Sequence, residues 1–196
     1  VGERLLKTAR YQQAIVAFDR AISLRSEFAD AYFLRAKAQS AVGKAPAAMA
    51  DLNEVVRLRP NDPQPYLNRA EVHITLKEFP EAIADCVRAL ELDPQLDRGY
   101  NLRGVALRTM GHPQNSMVDF NKAVELRPDM DNLYQRGATY QELGQHESAI
   151  ADFNRVISFS PTASQGYFAR AKSYRAIGDA ASADRDHRTA RMLDSH

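Results

Sequence analysis

The sequence predicts an all-α fold made of tandem helix pairs, and three observations carry that prediction. An arginine followed by alanine or glycine recurs as Arg35, Arg69, Arg103, Arg136 and Arg170, at spacings of 34, 34, 33 and 34 residues. A fixed period of this size marks a repeat array. Pro60, Pro94, Pro128 and Pro161 keep the same rhythm. Between successive prolines lie two stretches of helical character, separated in most units by a glycine.

Within a unit, the first helix begins near Tyr32, Tyr66, Tyr100 or Tyr167 and ends near Gly43, Gly111, Gly144 or Gly178. Glycine just past a helix end adopts the left-handed conformation cheaply; Lys77 holds that place in one unit and makes a poorer stop. The second helix opens near Pro46, Pro80 or Pro113, because proline suits a first turn whose N–H groups are unpaired anyway. It runs through stretches such as AIADCVRALEL and stops before the next proline. Ala14, Ala48, Ala82, Ser116, Ala149 and Ala183 mark close helix approach, and Phe18, Leu52, Cys86, Phe120, Phe153 and His187 follow four residues later.

These boundaries give repeats over 29–62, 63–96, 97–129, 130–163 and 164–196, after a partial repeat over 1–28, in one continuous domain. The short spacing places a one-residue deletion between Pro128 and Arg136, in the turn or the helix start. Val1 falls in the arginine slot, so the first unit is expected to lack about two turns, with more protein before it. In the last unit Asp184, His187 and Arg191 replace apolar residues, which suits a polar capping helix.

Residues 131 to 161 hold the fullest set of signature positions: Leu133 in the first aromatic slot, then Gly137, Tyr140, Ala149, Phe153 and Pro161. On these residues the chain resembles the tetratricopeptide repeat family over nearly its whole length. Tyrosine or leucine replaces the family's tryptophan, and arginine replaces the usual leucine before the small residue. The resemblance implies an α-solenoid of antiparallel helix pairs, wound as a right-handed superhelix, with first helices lining a concave groove. It further implies a non-enzymatic protein–protein interaction module, a scaffold or assembly adaptor binding an extended peptide or a helix. The rival expectations are an accessory domain of a larger enzyme, with its catalytic part before Val1, and a self-assembly module. Some members clamp the C-terminal carboxylate of chaperone tails with Lys and Asn on successive first helices. Here only Asn68 stands in a suitable slot, while Phe33, Lys37, Asn101 and Val105 replace the others, so that activity is not expected. Asn68 and Asn101 alone do not make the asparagine ladder of other members.

At about 100° per residue, the arginine falls inside the packing stripe that runs through the tyrosine and the small residue. A charge on a packing face needs a partner. Asp51, Asp85, Asp119, Asp152 and Asp186 each lie sixteen residues after an arginine. The first unit has Val1 and Ala17 in the two slots, so both charges are absent together. Five structural ion pairs are expected, Arg35–Asp51, Arg69–Asp85, Arg103–Asp119, Arg136–Asp152 and Arg170–Asp186, rather than a ladder for acidic ligands.

The opposite face supplies the expected partner-binding groove. One row holds Phe33, Leu67, Asn101, Tyr134 and Phe168; the next holds Leu34, Asn68, Leu102, Gln135 and Ala169. A third holds Lys37, Glu71, Val105, Ala138 and Lys172, followed by Ile74, Arg108, Glu142 and Arg175. Aromatic anchors beside polar side chains suit a peptide or helix.

No catalytic, cofactor-binding or metal-ligating constellation is expected. Phosphate-binding, dinucleotide-binding and zinc-protease motifs are absent; the five histidines share no ligand spacing, and Cys86 sits in a core slot. The formal net charge of +1 carries no basic stripe, which argues against nucleic acid. No apolar run approaches the roughly 20 residues that cross a bilayer, so no membrane insertion is expected. One cysteine and no signal-like segment fit the cytoplasm.

Overall fold

The computed structural model describes residues 2–195; the expectations for Val1, in the arginine slot, and for His196 lie outside them. Among the described residues there are twelve α-helices and no strand. They are α1 (Gly2–Lys7), α2 (Tyr11–Leu24), α3 (Ala29–Ala41), α4 (Ala45–Leu58), α5 (Pro63–Leu76) and α6 (Phe79–Leu92), then α7 (Asp97–Thr109), α8 (Pro113–Leu126), α9 (Met130–Glu142), α10 (His146–Phe159), α11 (Ser164–Ala176) and α12 (Ala180–Asp194). Two compact units divide the chain, Val1–Gln95 and Leu96–His196. Inside each unit consecutive helices pack in chain order, and first helices also touch one another: α1 with α3 and α3 with α5, then α7 with α9 and α9 with α11. The fold is an all-α solenoid of antiparallel helix pairs.

The helix ends follow from backbone chemistry. Gly43, Gly111, Gly144 and Gly178 take left-handed φ values of 74°, 85°, 72° and 85°. The amide after each returns to the carbonyl five residues earlier, as in Lys44 N–H to Gln39 O at 2.8 Å, which caps an otherwise orphaned carbonyl. Lys77 adopts the same conformation at φ 63°, and Glu78 N–H still reaches His73 O at 2.9 Å. Three first turns are capped by carboxylates: Asp62, Asp129 and Asp179 accept from the amides of Gln64, Asn132 and Ser182, each at 3.0 Å.

The missing residue lies in a turn. Arg127, Pro128 and Asp129 join α8 to α9, where the corresponding links before α3, α5, α7 and α11 have one residue more. The helix phase is therefore kept: Leu133 fills the tyrosine slot, fully buried, and Tyr134 takes the next.

Packing inside each hairpin matches small against large. The small residue of the first helix lies sixteen positions before the large residue of the second, and the two sizes vary together. Gly2 faces Phe18, Gly104 faces Phe120 and Gly137 faces Phe153; a Cβ on these glycines would come within 2.6, 2.8 and 2.9 Å of the ring. Where the second helix carries the slimmer Leu52 or Cys86, the first carries Ala36 or Ala70, all four buried. Each phenyl ring takes the room that the missing Cβ leaves.

Candidate functional site

Every arginine of the ladder meets the aspartate sixteen residues on, in a two-pronged contact. Arg35 donates through Nε and Nη2 to the two carboxylate oxygens of Asp51 at 2.8 and 2.6 Å. Arg69 engages Asp85 at 2.8 and 2.6 Å, and Arg103 engages Asp119 at 2.9 and 2.7 Å. Arg136 engages Asp152 at 2.8 and 2.7 Å, and Arg170 engages Asp186 at 2.7 and 2.8 Å. The carboxylates are buried, while the guanidinium side chains keep 18–26% exposure. Paired N–H donors match a carboxylate in geometry as well as charge. The hydrogen bonds to Asp51, Asp85, Asp152 and Asp186 raise the pKa of Arg35, Arg69, Arg136 and Arg170 above its usual value, against the opposing effect of burial.

A second contact, not read from the sequence, turns four of the pairs into three-helix staples. The remaining nitrogen, Nη1, reaches back to the preceding hairpin: Arg35 to Asp19 at 2.5 Å, Arg69 to Asn53 at 2.9 Å, Arg136 to Asn121 at 3.4 Å and Arg170 to Asn154 at 2.7 Å. Arg35 thus joins α3 to both α2 and α4, and Arg136 joins α9 to both α8 and α10. Tyrosine rings complete the setting, with Tyr32, Tyr66, Tyr100 and Tyr167 lying 5.4–5.6 Å below their guanidinium groups. At Arg136, whose tyrosine slot holds Leu133, Tyr140 supplies the ring from the other side at 5.8 Å. Cation–π attraction at such distances adds modestly to the ion pair.

The expected groove is rearranged. Leu67 is fully buried and Asn101 keeps 6% exposure, so neither belongs to an open surface. The rest of that row leans onto the second helix of its own hairpin. Phe33 packs on the cluster of Ala36, Ala48, Leu52 and Val72. Tyr134 lies 5.7 Å from Phe153, and Phe168 lies 5.5 Å from His187, ring to ring. The reason is the number of neighbours: a first helix packs against its own second helix and against adjacent first helices, so its buried stripe is wider than a one-sided count allows. Leu34 likewise joins the cluster of Ala14, Phe18, Ala31 and Ala38. Asn68, Leu102, Gln135, Ala169, Ile74, Val105 and Ala138 are half-buried, whereas Lys37, Glu71, Glu142, Lys172 and Arg175 are exposed.

Polar side chains bind the first helices of the second unit together. Arg108 donates from Nη2 to Gln135 Oε1 at 2.9 Å and holds Glu142 at 3.7 Å. Gln141 donates to Ala169 O at 2.7 Å and to Ser173 Oγ at 2.6 Å, joining α9 to α11. Asn101 donates to Asn132 Oδ1 at 2.6 Å, and Asn132, itself buried, donates to Arg127 O at 2.9 Å. Gln141 and Asn132 are not among the sequence-predicted residues; a polar side chain on a packed helix face is the one signal that could have found them.

Beside this frame a pocket of about 170 Å³ opens between α9 and α11. Met130, Tyr134 and Val156 give it apolar walls, and Asp131, Gln135 and Gln165 bring polar groups to its rim. Among the described residues, no group of His, Cys, Asp and Glu is arranged to hold a metal ion, and no helix is long and apolar enough to cross a membrane. Cys86 is fully buried.

Family models for the tetratricopeptide repeat match residues 2–63, 63–96, 97–130 and 131–162. No curated protein matches. Among solved structures, the YrrB protein, described as a tetratricopeptide repeat protein with an unusual peptide-binding site, is similar at 21% identity and a TM-score of 0.68, over 90% of this chain and 92% of that one. TTC0263 of Thermus thermophilus aligns at 18% identity and a TM-score of 0.74, over 90% and 95%. The Cut9–Hcn1 assembly of the APC/C aligns at 19% identity and a TM-score of 0.89, over all of this chain and 39% of that one.

Proposed function

Because the chain belongs to the tetratricopeptide repeat family, we propose that it is a protein-interaction module, a scaffold or assembly adaptor, that takes an extended peptide or a helix of a partner protein against its first helices. The observation that carries this reading is the pocket between α9 and α11. It offers an apolar wall for one anchoring side chain and amide and carboxylate groups for the ligand's backbone, the combination that peptide recognition uses. The frame behind it is stiff, because hydrogen bonds from Arg108 to Gln135, from Asn101 to Asn132 and from Gln141 to Ala169 already join neighbouring helices. A ligand therefore meets a preformed surface and loses little affinity to ordering it. The arginine ladder contributes rigidity and no ligand contact, since its guanidinium groups turn their Nε and Nη2 donors to buried aspartates. No chemical step is assigned to the module; it acts by shape and anchor residues.

The test uses Met130→Glu/Gln165→Glu, which places charge at an exposed wall residue and an exposed rim residue of the pocket without touching the core. Immobilised wild-type and variant protein, matched in helical circular dichroism and melting, are compared for what each captures from source-cell lysate by mass spectrometry. A protein held by the wild type and lost by the variant is the expected result. Identical captures would move the binding surface away from this pocket.

A further inference from the structure

We propose that the outer face of the last hairpin, formed by α11 and α12, docks an acidic segment of a partner protein that inserts one apolar side chain. Two adjoining hollows open on this face. One, of about 530 Å³, has an apolar floor of Phe168, Ala171 and Ala176, with His187 edge-on to the Phe168 ring at 68°. The other, of about 410 Å³, shares Arg175 and His187 with the first and is bounded by Asp184, Arg188 and Arg191. Lys172 stands beside the apolar floor.

The charge of the face selects its occupant. Lys172, Arg175, Arg188 and Arg191 surround a single carboxylate, Asp184, which Arg175 already engages at 2.8 Å. Lys172, Arg188 and Arg191 make no ion pair among the described residues. These four cations and one carboxylate leave the face a net +3, whereas the whole chain has a formal net charge of only +1. The first hairpin of a second copy is no complement, because its exposed charges are Glu3, Arg4, Lys7, Arg10, Asp19 and Arg20, more basic than acidic. An acidic segment neutralises the rim, and an apolar side chain fills the hollow over Phe168. This surface is separate from the α9–α11 pocket, so each can be removed without the other.

The test measures fluorescence anisotropy of labelled peptide probes: a short Asp/Glu peptide with one central Phe, the same peptide with Ala in its place, and a version with Lys for every acid. The wild type is expected to bind the first, bind the second more weakly and ignore the third, with affinity falling as salt rises from about 0.05 to about 0.3 M. Arg188→Glu/Arg191→Glu alters two exposed side chains and keeps the fold, as circular dichroism will register. It is expected to weaken the Asp/Glu–Phe probe by about tenfold or more, while Met130→Glu/Gln165→Glu leaves that probe unaffected. Absence of binding, equal binding by the charge-reversed variant, or loss in the Met130/Gln165 variant instead would overturn the proposal. So would a mass that rises with protein concentration and stops rising in Arg188→Glu/Arg191→Glu, which would give the face to a second copy.

Discussion

At the scale of single residues, two pairings sixteen positions apart do most to define each hairpin, one of charge and one of size. The size pairing makes a direct prediction. Gly137→Ala pushes a methyl group within 2.9 Å of the Phe153 ring, and overpacking of this kind costs about 1–3 kcal/mol. Adding Phe153→Leu recreates the Ala36–Leu52 arrangement found in the second hairpin. The double variant is therefore expected to be more stable than the sum of the two single losses, by urea denaturation; strict additivity would show that the two residues do not share one space. The Arg–Asp pairing is legible in the sequence because both members are invariant among five units and vanish together in the first. The second acceptor is not, because its slot changes from Asp19 to Asn53, Val87, Asn121 and Asn154, and no single residue type announces it. The Gly–Phe matching is present in the same columns but is visible only once the facing partner is known.

Single helices show where sequence periodicity reaches its limit. Helix ends and phases are legible because glycine and proline act through the local backbone. Two residues stand where the other turns have glycine, Ala9 at φ 56° and Lys77 at φ 63°, and Lys77 invites a test, because this conformation costs an L-residue about 1–2 kcal/mol. Lys77→Gly relieves that cost and regains part of it as unfolded-state entropy. A gain of about 0.5–1 kcal/mol is expected, seen as a higher melting temperature; a loss would mean that the Lys77 side chain itself holds the turn. The groove rows are less legible. A helical wheel ranks faces by angle from one packing partner, whereas α9 packs against α8, α10, α7 and α11. Leu67 and Asn101 are buried for that reason, and the Asn101–Asn132 pair, polar and buried, has no apolar pattern to betray it.

For the molecule as a whole, stability in such an array is a sum of hairpin terms and neighbour terms, and the arginine staples contribute to both. Arg136 ties α9 to α10 within one hairpin and to α8 in the one before. A ligand-binding surface built on these helices keeps its shape only while the staples hold, which links the ladder to function without any contact between arginine and ligand. The reading proposed above makes the ladder scaffold. Its most direct test is a double-mutant cycle on Arg136 and Asp152, read as amide hydrogen-exchange free energies along α9 and α10. Arg136→Ala is expected to cost roughly 2–4 kcal/mol, somewhat less than the ~3–5 kcal/mol of a fully buried pair because its guanidinium group reaches solvent. Asp152→Ala should cost a similar amount, and the double variant clearly less than the two together, a coupling of about 1 kcal/mol or more. Losses that add to within about 0.5 kcal/mol, or single variants as stable as the wild type, would contradict the account and return the arginines to the candidate ligand contacts.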